Sequence, residues 1–335
     1  MVNRLAKNTL SRSLEADLLP WRITRSLRSG TLVLGYHGVA SDEDIHDPWV
    51  QRMQLPGSLF RDQLEFIGKH FEVVAADDVL GSNSKKRRIH LSFDDGYSGF
   101  LTSAVPLLNE FGFPASLFAV TGATSSNSRL PTYIGRAAIR HCESGQLSLD
   151  SIGYKTTLSD ESSRLKAYSS ISSILKTGAS TAVAALVKEL SSLLPKDQWD
   201  ELHQRYGTEA VLNWDQLSGI CDSGFTVGAH SVTHLALSDL QDPAIIEKEV
   251  ESSVNEIRSN LGKCDWFAFP NGTTESWSKF AAESIEKTGV KGAWTLESGI
   301  IRTNPTLNQF RLPRFPVPRT LDRLRMLLNT AFVRY

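Results

Sequence analysis

The sequence is poor in cysteine. Cys142, Cys221 and Cys264 are scattered, odd in number and without a CxxC pair. That argues against a disulfide framework and fits a reducing compartment. Charge imbalance is missing too. The chain has 36 Lys and Arg against 37 Asp and Glu, a net charge of -1, so no global field draws nucleic acid or an acidic partner. No apolar run approaches the ~20 residues that a membrane span needs. The N-terminus lacks the continuous apolar core of a secretory signal, and a cytoplasmic location is expected. No internal repeat is found.

The rest is ordinary for a globular chain. It has 335 residues and is 41% hydrophobic, enough for one large α/β domain or two average ones. The segment 1–30 is basic, with Arg4, Lys7, Arg12, Arg22, Arg25 and Arg28 among Leu5, Leu14, Leu18, Leu19, Trp21 and Ile23. It reads as a helical extension, packed outside the domain or in peripheral contact with anionic lipid. The segment 31–335 reads as the main domain.

From residue 31 onward, strand-like runs alternate with helical patterns. Strands are predicted at 31–39, 71–79, 88–93, 114–122, 225–231, 266–270, 292–297 and 310–317. Helices are predicted at 59–71, 98–111 and 242–262. The last is the clearest. Asp242 caps it, Pro243 opens it, and Ile246, Val250, Val254, Ile257 and Leu261 form one stripe that Gly262 closes. The alternation predicts an α/β fold with a parallel sheet, open or closed into a barrel. Residues from about 130 to 212 break the rhythm: Ser-, Lys- and Leu-rich, with no convincing strand. They are expected to form a helical insertion that covers a rim, shapes a cleft or makes an interface.

In parallel α/β sheets and barrels, chemistry sits just past the strand ends. Those positions hold His37, Asp94 and Asp95, His230 with His234, Pro270-Asn271-Gly272, and Arg311 with Arg314. In "HSVTH", an i, i+4 spacing on a helical turn would put both imidazoles on one side. A carboxylate from another strand end would complete a two-histidine, one-carboxylate metal set with positions left open. Alone, "HSVTH" is commonly a surface pair and "FDDG" a routine turn. Together, each behind a strand, they are far more specific. Trp294, Tyr97 and Trp214 are either core residues or walls that stack on a sugar.

In this order the motifs resemble those of the polysaccharide deacetylases, the NodB-homology group or carbohydrate esterase family 4. Ser92-Phe93-Asp94-Asp95-Gly96 resembles the family's TFDDG, and His230-Ser231-Val232-Thr233-His234 its H-S/T-x-x-H. The resemblance covers roughly 31–318. It implies a distorted (β/α)7-type barrel and one divalent metal, commonly zinc, held by Asp95, His230 and His234. It also implies Asp94 as the general base that activates water. Two features depart from the pattern. Ala268 stands where the family often has an arginine that orients the base, and Arg314 is the candidate replacement. No histidine follows His234, so the C-terminal L-x-H motif is missing. Tyr36-His37-Gly38-Val39 resembles a variant that carries this histidine on the first strand, which makes His37 the candidate general acid. The backbone N–H of Asn271 is the candidate oxyanion donor, and Tyr97 a candidate substrate contact. The implied reaction removes an N-acetyl group from an amino sugar of a polysaccharide, glycolipid or lipid-linked glycan precursor. O-deacetylation, peptidoglycan deacetylation, sugar deformylation and a non-catalytic glycan-binding barrel are the alternatives.

Overall fold

The computed structural model describes residues 30–81, 87–302 and 306–334. The basic extension and its lipid contact therefore lie outside the described residues. The chain begins with β1 (Gly30–Tyr36), β2 (Gly38–Ala40), β3 (Gln54–Pro56), α1 (Gly57–His70), β4 (Glu72–Val73) and β5 (Arg87–Phe93). A π-turn over Phe100–Ala104 leads into α2 (Val105–Phe111), β6 (Ala115–Ala119) and α3 (Thr121–Ser126). Then come α4 (Pro131–His141), β7 (Gly145–Leu149), β8 (Tyr154–Leu158), α5 (Glu161–Thr177), α6 (Ser180–Ser191) and α7 (Lys196–Arg205). The last part holds α8 (Trp214–Asp222), β9 (Thr226–Ala229), α9 (Pro243–Leu261), β10 (Trp266–Ala268), α10 (Lys279–Lys287), β11 (Gly292–Trp294), β12 (Phe315–Pro316) and α11 (Leu321–Arg334).

The main sheet runs β11-β10-β9-β6-β5-β1-β12, and each of these pairings is parallel. It curls until its ends approach. A parallel bridge joins Trp294, the last residue of β11, to Leu312 just before β12. The expected α/β fold is therefore present as a curled parallel half-barrel, whose two ends meet through the backbone bonds of Ala293 and Thr295 with Gln309 and Leu312.

The strands are buried on both sides, as parallel strands covered by helices must be. Side chains alternate along each one. On β1, Leu32, Leu34 and Tyr36 pack outward into the large cluster with Phe60 and Leu64. Val33 points inward to Phe118, Trp266, Trp294 and Leu312. The helix α9 follows its predicted caps: the Asp242 carboxylate accepts from the Ala244 N–H at 2.8 Å, and Gly262 ends it at φ 83°.

Three expectations change. Residues 145–158 form an antiparallel hairpin, β7 against β8, so the insertion is not purely helical. It has its own core, where Tyr133, Leu149, Ile171, Leu175, Leu190 and Trp199 meet. The expected strands 71–79 and 310–317 shrink to Glu72–Val73 and Phe315–Pro316. Pro313, Pro316 and Pro318 remove ladder donors from the latter.

Candidate active site

Strand β5 explains the first aspartate. Ile89, Leu91 and Phe93 face the outer core, so the alternate row His90, Ser92, Asp94 turns into the barrel. There Asp94 meets Arg314, which is fully buried. The guanidinium donates twice to the carboxylate, from Nη1 at 2.7 Å and Nη2 at 2.8 Å. It also donates to the Ser92 hydroxyl at 3.1 Å and to the Thr295 carbonyl at 2.9 Å. This is a bidentate charge-assisted pair with its other donors satisfied. Burial pushes the Asp94 carboxyl up, but Arg314, with His230 and His37, outweighs it and holds the group below the usual carboxylate range.

By alternation the next aspartate should face outward. Instead Asp95 adopts φ 75° and Gly96 φ 70°, and this left-handed pair turns the Asp95 carboxylate back over the barrel mouth. Ser231, His234 and Asn271 also have positive φ. Among the described residues, four of the five non-glycine residues with left-handed backbone thus belong to the motif loops. Such conformations cost of order 1 kcal/mol or more each and persist where surrounding structure fixes them.

The "HSVTH" segment is not the helical turn expected from its spacing. It is a loop with left-handed residues at Ser231 and His234. Glu249, buried on α9, holds it. Its carboxylate accepts from the Val232 and Thr233 N–H groups, both at 2.9 Å, and from the Thr233 hydroxyl at 2.8 Å. The two imidazoles end with ring centroids 5.1 Å apart. His230 Nδ1 lies 2.7 Å from the Ala268 carbonyl, which fixes this nitrogen as the N–H donor and leaves Nε2 with a free lone pair.

Asp95, His230 and His234 converge. Each offers one ligand atom, and the three atoms lie within 4.8 Å of one another. Asp95 Oδ1 is 3.1 Å from His234 Nε2 and 3.5 Å from His230 Nε2. That oxygen is buried without a hydrogen bond of good geometry, as is His234 Nδ1. A buried, underbonded carboxylate oxygen facing two imidazoles fits a divalent borderline cation such as zinc. Burial would raise the Asp95 carboxyl, but His234 and His230 hold it well below the usual range. Burial lowers His230, and Asp94 and Asp95 more than reverse this.

Asp95 and His234 line a cavity of about 240 Å³ together with His37 and Asn271, while His230, Asp94 and Arg314 lie behind its wall. Burial lowers the His37 pKa, although Asp95 and Asp94 pull it upward. Asn271 donates from its side-chain amide to the Lys176 carbonyl at 2.8 Å. Of the two readings of the aromatics, the core one holds for Tyr97 and Trp294, so Tyr97 is not the substrate contact it was a candidate for. Tyr97 and Trp294 are fully buried and have no face for a sugar. Tyr97 packs with Val120, Leu130 and Val211, and Trp294 stacks on His90 and Trp266. Trp214 is half-buried and donates to Ser125 at 3.1 Å, and it is not among the cavity's lining residues. Arg311 lies away from the lining and pairs with Glu297 at 2.9 Å.

Sequence reasoning missed Arg52, Thr132, Arg136, Tyr168 and Lys176, which also line the cavity. Four of them come from the insertion, where no pattern marked them. Glu249 did leave a signal: a carboxylate inside the apolar stripe of α9.

The site is thus a carboxylate–histidine cluster beside a buried, arginine-held aspartate, at the mouth of a parallel barrel. Residues 81–293 match the model of the polysaccharide deacetylase family. The chain belongs to that family, which makes it a hydrolase of acetylated glycans. Solved structures share the fold. The Streptococcus pyogenes deacetylase PplD, in complex with acetate, is 15% identical with a TM-score of 0.57, over 90% of this chain and 98% of that one. IcaB from Ammonifex degensii is 14% identical with a TM-score of 0.55, over 89% and 98%. BC0361, a polysaccharide deacetylase from Bacillus cereus, is 13% identical with a TM-score of 0.53, over 91% and 69%. No curated protein matches the chain.

Proposed function

We propose that the protein removes the N-acetyl group from an amino sugar of a polysaccharide, glycolipid or lipid-linked glycan precursor, with a divalent metal, zinc, as cofactor. The observation that carries this reading is the convergence of Asp95, His230 and His234 within 4.8 Å, beside an Asp94 clamped by Arg314. Asp95, His230 and His234 would hold the metal. When bound, it supplies Lewis acidity that polarises the amide carbonyl and acidifies water.

Asp94 takes the proton of the attacking water. Arg314 orients its carboxylate and keeps it ionised, so it is ready to accept. The Asn271 N–H donates to the oxygen that becomes negative. His37 delivers a proton to the leaving nitrogen. Burial favours its neutral form, so the proton that His37 passes on is the one taken at Asp94. The amine then leaves with one proton gained, and the acyl group leaves as acetic acid with the water's oxygen and its second proton, which it loses to solvent or to the free amine. A cytoplasmic site of action on a precursor is part of the proposal, as is peripheral lipid contact through 1–30.

Metal content together with acetate release from N-acetylglucosamine oligomers tests it. About one zinc per chain, with release that Asp94→Asn abolishes, is the expected result. A metal-free protein that releases acetate from no acylated sugar would contradict it. If His37→Ala left turnover untouched, the proton donor would have to be another group.

A further inference from the structure

The cavity's charge is one-sided in a way that amide hydrolysis does not require. Among its lining residues Arg52, Arg136 and Lys176 are cationic, and Asp95 is the one carboxylate. Glu209 neutralises Arg136 from behind at 2.6 Å, both side chains being buried. Arg52 and Lys176 meet no carboxylate among the described residues. Both are exposed at the rim of one cleft, where two like charges together raise the local concentration of anions. Partial burial lowers the Lys176 ammonium and Arg52 and Arg136 lower it further, while Asp95 pulls it part of the way back.

Both cations sit on anchored segments. Lys176 lies at the end of α5, where Asn271 holds its carbonyl. The turn that follows is pinned by Gln241, which donates to the Gly178 carbonyl at 2.9 Å and accepts from the Ser180 N–H at 2.9 Å. The Arg52 carbonyl accepts from Arg319 Nη1 at 2.6 Å, and the Gln54 carbonyl from Nη2 at 2.6 Å. Two cations on anchored segments, without an ion-pair partner among the described residues, gain nothing from a neutral sugar. They suit an anion that bridges them, with the arginine fork and the lysine point charge as complementary donors.

We propose that the amino sugar carries an anionic group, a phosphate ester or a carboxylate, which Arg52 and Lys176 grip while the acylated nitrogen lies against Asp95 and the two histidines. This rests on the deacetylase reading of the same cavity. Arg52 and Lys176 are then specificity residues, acting on binding and not on the bond that breaks.

Calorimetric binding of reaction products to the zinc-loaded protein tests the idea without turnover. The probes are glucosamine, glucosamine 1-phosphate, glucosamine 6-phosphate and 2-amino-2-deoxyglucuronate. All carry the same ammonium, so differences report the anion. At least one anionic sugar should bind about tenfold tighter than glucosamine, and which one does so identifies the anion. The advantage should shrink in about 0.5 M salt. Lys176→Gln and Arg52→Gln should each collapse it, and Lys176→Arg should keep it. Equal binding of all probes, or an advantage that survives the Lys176→Gln/Arg52→Gln double variant, would overturn the inference. Acetate release from neutral oligomers without anion preference sinks this inference alone. An anion preference without acetate release from any sugar sinks the deacetylase reading alone.

Discussion

Two adjacent aspartates do different work because backbone geometry separates them. Asp94 inherits its direction from strand alternation and faces Arg314. Asp95 escapes alternation through its left-handed backbone and faces the histidines. Removing one partner of such a buried pair is costly. Arg314→Met should lower stability by about 3–5 kcal/mol, read from urea midpoints. Arg314→Lys keeps the charge and loses the fork, so kcat for acetate release should fall roughly tenfold or more while the protein stays folded. An unchanged kcat in Arg314→Lys would remove Arg314 from the positioning role.

His90, on the same inward row, is a structural histidine. Its ring nitrogens lie 2.8 Å from the Val74 carbonyl and 3.1 Å from the Ser116 hydroxyl. Burial lowers its pKa from 6.5 to about 4. Between those values the unfolded chain binds a proton that the folded chain refuses, so stability falls as pH drops from 6.5 towards 4. The contribution, of order 3 kcal/mol, is fully present above 6.5. His90→Gln should flatten that part of the stability profile. An unaltered slope would mean that another group sets it.

At the level of elements, the loop at residues 230–234 depends on a helix that is remote in sequence. Glu249 on α9 supplies its carboxylate to two N–H groups and one hydroxyl. Supports of this kind tune metal affinity by about ten- to a hundredfold. Glu249→Ala should therefore weaken zinc binding by about that factor in a chelator competition, and an unchanged affinity would show that the loop holds itself. That Asp94, Asp95, His230 and His234 share one end of the sheet was legible because both motifs follow strands. The form of the histidine loop was not. An i, i+4 spacing is helix-like, but Ser231 and His234 take left-handed backbone that spacing does not encode. The hairpin at residues 145–158 was hidden for a similar reason. Only Leu147, Leu149 and Leu158 are buried on it, too short an alternation to stand out among serines and threonines.

On the scale of the whole molecule, the insertion is a wall of the site. Its separate core holds Leu175 of α5 and Leu190 of α6 against α4, and through α4 and α5 it delivers Arg136, Tyr168 and Lys176 to the cavity. Length and composition announced the insertion but not its contribution, because contacts between distant segments leave no local periodicity. Leu175→Ala should cost about 2–5 kcal/mol and loosen Lys176, so affinity for substrate should fall more than kcat. An equal loss in both would place the insertion's influence on the chemistry itself. The meeting of the sheet's two ends was equally hard to read, since it rests on the few backbone bonds around the bridge between Trp294 and Leu312.

The central claim is that the buried Asp95, His230 and His234 cluster is a metal centre on which glycan deacetylation depends. The most direct measurement is acetate release from N-acetylglucosamine oligomers before chelation, after it, and after stepwise return of zinc. Release should be lost with the metal and restored at about one equivalent, and His234→Ala should not be restored. Release that continues undiminished in the fully chelated protein would contradict it.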